Sequence, residues 1–143
     1  MALNDLDSFA KRMDKRADHI DSTAVQVVRE VVRNMGPALG YSTPVDTSRA
    51  RANWQAAINT APTNVLYQEP DKPPSPETGA QLAIRSLDAA AALYKRGQTV
   101  YIANNVRYIN RLNAGHSAQA PAGFVQIAVH VAIRTIKNVK WVQ

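Results

Sequence analysis

The chain has no cysteine, which excludes disulfides and thiolate-based metal sites. Aromatic residues make up only 6% of it, too few for a series of base-stacking platforms. No apolar run approaches the roughly 20 residues that a helix needs to cross a bilayer. The opening stretch, MALNDLDSFAKR, carries charge where a signal peptide would have its apolar core. No targeting segment is therefore expected, and synthesis in the cytoplasm is. There is no block of five like charges, no phosphate-binding glycine loop, no dinucleotide fingerprint and no paired-carboxylate motif. His19, His116 and His130 each lack a second histidine or cysteine at ligand spacing, so neither metal nor cofactor is expected.

What is present suits one compact unit. With 143 residues, 45% of them apolar and 20% charged, the chain reads as a single domain, 1–143. A domain of this size buries about two-thirds of its unfolded surface, enough for one core. The net charge of +6 raises the odds of an anionic partner, nucleic acid included, although the charges are scattered.

Residues 5–35 predict one long helix. Leu6, Phe9, Met13, Ala17, Ile20, Ala24, Val27, Val31 and Met35 recur at steps of three or four. Asn4 or Asp5 would cap it and Gly36-Pro37 would stop it. Its first half is charged and thinly apolar, and some 30 helical residues reach about 45 Å. That is longer than a small domain needs, so part of the stripe would face another subunit. Lys11, Arg12, Lys15 and Arg16 are its candidates for facing DNA. Residues 36–46, with two glycines and two prolines, predict an irregular connector. Asp46 or Thr47 would cap a helical turn through Arg51, and the alternation from Trp54 to Asn59 predicts a strand.

Residues 61–76 contain five prolines and predict an extended segment. It is either an arm lying on a neighbouring copy or a surface loop tethered by Leu66 and Tyr67, the arm being favoured. A second helix is predicted over 77–96, capped by Ser75 or Thr78, with Ala83, Leu87, Ala90, Ala91 and Tyr94 inward and Gly97 ending it. After Pro121 two periods compete. Phe124, Ile127, Ala128 and Val131 fit a helix, whereas Val125, Ile127, Val129, Val131 and Ile133 alternate as in a strand. Pro121 at a first helical position and the length of the run favour helix to about Ile136. The tail KNVKWVQ would be extended. The fold class expected is α+β: a long first helix, a small sheet and two further helices.

The densest run of specific residues is Gln98 to Val125. Val100 and Ile102 would share one face of a strand, with Thr99, Tyr101 and Ala103 on the other. Tyr108, Ile109 and Leu112 suit a short helix that Gly115 would end. Tyr101-Ile102-Ala103-Asn104-Asn105, Tyr108, Leu112, Gly115-His116-Ser117 and Gln119-Ala120-Pro121-Ala122-Gly123 together resemble a signature of the neck or tail-completion proteins of tailed bacteriophages. Pro44 to Trp54, PVDTSRARANW, is similar to that family's other recurring motif, and the two occur in the family's order. Four positions depart from the pattern. The family usually has glycine at Ser48, proline at Arg107, an acidic residue at Asn113 and methionine at Phe124.

The resemblance implies a virion protein of the neck or tail. It implies a homo-oligomeric ring of sixfold or twelvefold order, in contact with other neck, connector or tail proteins, that joins head to tail or completes the tail. The contact candidates are Asp46, Arg49, Arg51 and Trp54; Leu66 and Tyr67; and Tyr108, His116, Gln119 and Pro121. Basic side chains would meet DNA only in passing through a channel, and no membrane is involved. The alternative is a small basic nucleic-acid-binding module. A hydrolase using His116 and Ser117 with Asp46 is the weakest reading, because no nucleophile-elbow pattern surrounds Ser117. The protein is expected not to be an enzyme.

Overall fold

A computed structural model describes residues 2–46, 48–68 and 72–140. Helix α1 is Ala2–Ser42, α2 is Arg49–Ala52 and β1 is Gln55–Ile58. Then come α3, Pro76–Leu93; β2, Val100–Ala103; α4, Ile109–Asn113; and α5, Phe124–Arg134, which runs on into a 3-10 turn over Thr135–Asn138. The fold is α+β, with a long first helix and a small antiparallel two-stranded sheet. Gln55 pairs with Ala103 and Ile58 with Val100, so the sequence-distant strands form one ribbon beside α3.

The largest departure from expectation lies at Gly36-Pro37. The helix does not stop there but runs 41 residues, with Pro37 inside it. A proline in a helix interior costs about 3 kcal/mol, because it lacks an N–H and crowds the carbonyl of residue i−4. Packing offsets this cost. Val32 and Leu39 are buried on either side, each contributing about 1.5–3 kcal/mol. The two glycines serve contact rather than termination. A Cβ on Gly36 would stand 3.1 Å from Ile84 Cα, and one on Gly40 would stand 3.2 Å from the Ala80 carbonyl oxygen. Gly36 and Gly40 therefore let α1 lie directly on α3. Only residues 43–46 of the predicted connector are irregular, and Asn4 and Asp5 fall inside the helix rather than at its cap.

Other boundaries also moved. Ser48, not Asp46, is the cap residue of α2, with φ 56° and no side-chain capping bond, and Thr47 lies outside the described residues. Ser75 caps α3 as expected, its side chain accepting from the Thr78 N–H, with Pro76 in the first turn. That helix ends at Leu93, and Gly97 belongs to the turn before β2. Helix α5 starts at Phe124 behind Gly123, not at Pro121. The helical reading of this segment holds over Phe124–Arg134, because Ala128 and Ala132 fall one turn apart beneath Phe124. The tail is only partly extended: Lys137 and Asn138 belong to the 3-10 turn, Val139 is extended, and Trp141 onward lies outside the described residues.

The core gathers Leu39, Leu87, Phe124 and Trp54 among the small residues Ala83, Ala91 and Ala128. Small side chains let α1, α3 and α5 approach closely. The first half of α1 stands outside this core. Residues 5–18 are exposed throughout, and the body meets the helix at Asp21, whose carboxylate pairs with Arg96 at 2.6 Å. Further down, the Arg29 guanidinium donates to the Tyr94 carbonyl at the end of α3, at 2.7 and 3.2 Å.

Candidate subunit-contact site

Two segments far apart in sequence come together at one end of the body. The Gln119 carboxamide grips the backbone of Val45 from both sides: Oε1 accepts from the Val45 N–H at 2.7 Å, and Nε2 donates to the Val45 carbonyl at 2.7 Å. Asn104 Nδ2 donates to the Ala50 carbonyl at 2.7 Å. Between the segments lies a cleft of about 340 Å³, whose lining includes Asp46, Arg49, Tyr108, His116, Ser117 and Gln119.

The loop that shapes the cleft is built on a helix ending. Gly115, at φ +95°, follows α4; its N–H reaches the Leu112 carbonyl, and the His116 N–H reaches that of Arg111. This pair of bonds closes a helix through a left-handed residue. Glycine was expected to end this helix, and it does. The next helix is capped from a distance. Asn113 Oδ1 accepts from the Val125 N–H at 3.0 Å, supplying an acceptor to the first turn of α5, where free N–H groups and the positive end of the helix dipole lie.

The candidate residues divide into those tied inward and those left at the surface. Trp54 is 5% exposed, and its indole N–H donates to Thr43 Oγ1 at 2.8 Å, which makes it a core residue. Arg51 closes the end of α1. Its Nε donates to the Thr43 carbonyl at 3.0 Å and Nη2 to the Tyr41 carbonyl at 3.1 Å, placing a cation against the negative helix terminus. Arg49 Nε donates to the Tyr67 carbonyl. Asp46, Tyr108, His116 and Pro121 are exposed, the first three lining the cleft. Ser117 Oγ accepts from the Gln119 N–H at 3.2 Å, which ties that hydroxyl into its own loop. Lys11, Arg12, Lys15 and Arg16 are all exposed; Lys11 pairs with Asp7 at 2.8 Å, and the Arg12 guanidinium lies 6.0 Å from the Phe9 ring centroid.

The described first part of the proline-rich segment is tethered to its own chain. Leu66 and Tyr67 are half-buried against their own chain. Asn53 holds the strip: Oδ1 accepts from the Leu66 N–H at 2.6 Å, and Nδ2 donates to the Leu66 carbonyl at 2.9 Å. Asn105 Nδ2 donates to the carbonyls of Pro62 and Asn64 at 2.9 and 3.2 Å. Asn53 is fully buried, and it was missed as a candidate although it lies within the motif. Its signal was available: an amide between Ala52 and Trp54 in an apolar setting must find partners for its donors and its acceptor. Beneath the loop, with Trp54 and Leu66 in its lining, is a second cleft of about 600 Å³.

Two exposed groups link α1 to α3. Tyr41 Oη donates to Glu77 Oε1 at 2.8 Å, and Gln81 Nε2 donates to both oxygens at 3.0 Å each. Hydrogen bonds from Gln81 and Tyr41 hold the Glu77 carboxyl below its ordinary value, and bonding to Glu77 raises the Tyr41 phenol. Among the described residues no three His, Asp or Glu side chains gather where a metal could bind, and no helix is long and apolar enough to cross a membrane. No family model, curated protein or solved structure matches the chain.

Proposed function

We propose that this protein is a structural subunit of a tailed-bacteriophage neck or tail, forming a ring of copies that joins head to tail or completes the tail. The observation that carries the reading is the junction between the two segments that bear the resemblance. Residues 44–54 and 101–123 are separate in sequence, yet Gln119 clamps Val45 and Asn104 clamps Ala50. Side chains of the second segment thus hold the backbone of the first in place.

Two of the departures from the family pattern also make physical sense. Ser48, where the family has glycine, sits at φ 56°, a region that glycine enters without steric cost. Asn113, where the family has an acidic residue, accepts a bond at a helix start, as a carboxylate would.

The mechanism is geometric. Each copy offers one face to the next, and a head-to-tail interface closes into a ring when its rotation permits. The exposed Asp46, Tyr108, His116 and Pro121 border the surface offered to neighbouring or connector proteins. No covalent chemistry is assigned to the chain, and its place is the virion. Particles produced without this chain test the reading: heads and tails should accumulate unjoined. Intact, infectious particles would sink it.

A second reading, nucleic-acid binding, draws on the four exposed cations of the free half of α1. It predicts affinity for DNA that falls steeply with salt, even for an isolated copy.

A further inference from the structure

We infer that the free half of α1 seats on the outer face of α5 of a second copy. This rests on the ring reading only in choosing a second copy as the occupant. The first observation is a heptad. Leu6, Ala10, Met13, Ala17, Ile20, Ala24, Val27 and Val31 follow one another at alternating steps of four and three. A repeat of 3.5 residues sustained over this length marks a helix built to pack along another helix. Lower down, Ala24, Val27 and Val31 of the stripe are half-buried, and the adjoining Val28, Val32 and Leu39 pack on the core. Leu6, Met13 and Ile20 are 65%, 44% and 41% exposed, and Phe9 beside them is 53% exposed.

The second observation is the matching surface. Helix α5 buries Phe124, Ala128 and Ala132 and turns Ile127 and Val131, each 50% exposed, to the outside. With His130 and Arg134 these lie at spacings of three and four, forming one strip. The same chain therefore carries two unlike apolar strips. One projects and one lies on the body, as a head-to-tail contact requires.

Charge selects between pairings. At 100° per residue, Asp7, Asp14 and Asp21 follow the α1 stripe along one edge, Asp7 paired with Lys11 and Asp21 with Arg96 of the same chain, while Arg12 and Lys15 fall away from that edge. Two α1 stripes packed antiparallel would set these aspartate rows against each other. The segment from Phe124 to Lys140 instead contains Arg134, Lys137 and Lys140 and no acidic residue. Residues 1–21 carry five acidic and four basic side chains, a net charge of −1 against +7 for the rest of the chain, so the projecting helix is slightly acidic relative to the basic body it would meet.

The test uses purified full-length chains with Met13→Glu on α1 and Val131→Glu on α5, both at exposed positions, with helicity checked by circular dichroism. Wild type should self-associate in sedimentation velocity, and each variant alone should associate about 100-fold more weakly, as for a central contact residue. Mixed in equal amounts, the two variants should form a one-to-one pair and nothing larger, because one contributes an intact α5 face and the other an intact α1 stripe. Ser8→Gln, on the back of α1, should behave as wild type. A wild type that stays monomeric overturns the inference. So does a mixture that stays monomeric while each variant loses association, since that pattern belongs to like faces pairing with like. The outcome is separate from the neck reading: pairing in the mixture would stand even if virions lacked the chain.

Discussion

Gln119 and Val45 lie 74 positions apart, yet the side-chain amide of one makes the two hydrogen bonds to the backbone of the other that a neighbouring strand would make. This clamp joins the loop after α4 to the segment before α2. Gln119→Ala should lower stability by about 1–2 kcal/mol, since two partly solvated bonds are lost. Urea unfolding gives the magnitude. Faster hydrogen exchange at the Val45 amide, with the α1–α3 core unchanged, gives the location.

Arg51 has two possible employments, and they can be told apart. If its main work is to satisfy the carbonyls at the end of α1, Arg51→Ala costs about 1–3 kcal/mol in the isolated chain, and Arg51→Lys recovers little because a single ammonium cannot span both carbonyls. If it serves chiefly a neighbour, stability stays level and only association falls. The first outcome is expected in thermal or urea unfolding.

Ser48 is held in the left-handed region, which costs a non-glycine residue about 1–2 kcal/mol. Its hydroxyl donates to the Pro74 carbonyl, offsetting part of that cost. Ser48→Gly should therefore be close to neutral. Ser48→Val should destabilise strongly, because a β-branched residue is least suited to positive φ and the site is buried. Comparison of the two midpoints in urea checks the point.

The existence of a long first helix, the Ser75 cap, the Gly115 ending and the strand alternation at Val100–Ala103 were legible because each depends on local chemistry. The face of α1 that packs, however, is Val28, Val32, Met35 and Leu39 rather than the expected Val27 and Val31. The run of α1 through Gly36-Pro37 was not legible. Locally that pair is a stop signal, and what overrides it is the backbone of α3 lying against Gly36 and Gly40, which no local window contains. The four-residue spacing of the two glycines on one helix face was the available hint. The candidate site was half legible. The two motif segments can be read from the chain, but the roles of Trp54 and Arg51 within the fold, and the clamping amides Asn53, Asn104 and Asn105, depend on long-range neighbours.

The Tyr41–Glu77–Gln81 cluster makes a small pH-dependent contribution. The folded state lowers the Glu77 pKa, so the stabilisation is full above the ordinary value of 4.5 and is lost as pH falls through the lower folded value. The folded state raises the Tyr41 pKa, so its contribution is full below 10.0 and is lost as pH rises through the higher folded value. Glu77→Gln should flatten the acid limb of the stability profile. The change will be slight because both groups are exposed.

The most direct measurement is cryo-electron microscopy of tailed particles purified from cells that make this chain with a fused density marker. A closed ring of copies at the junction of head and tail, or at the tail end, is the predicted result. Particles without the chain, or copies scattered along the packaged genome, would contradict it.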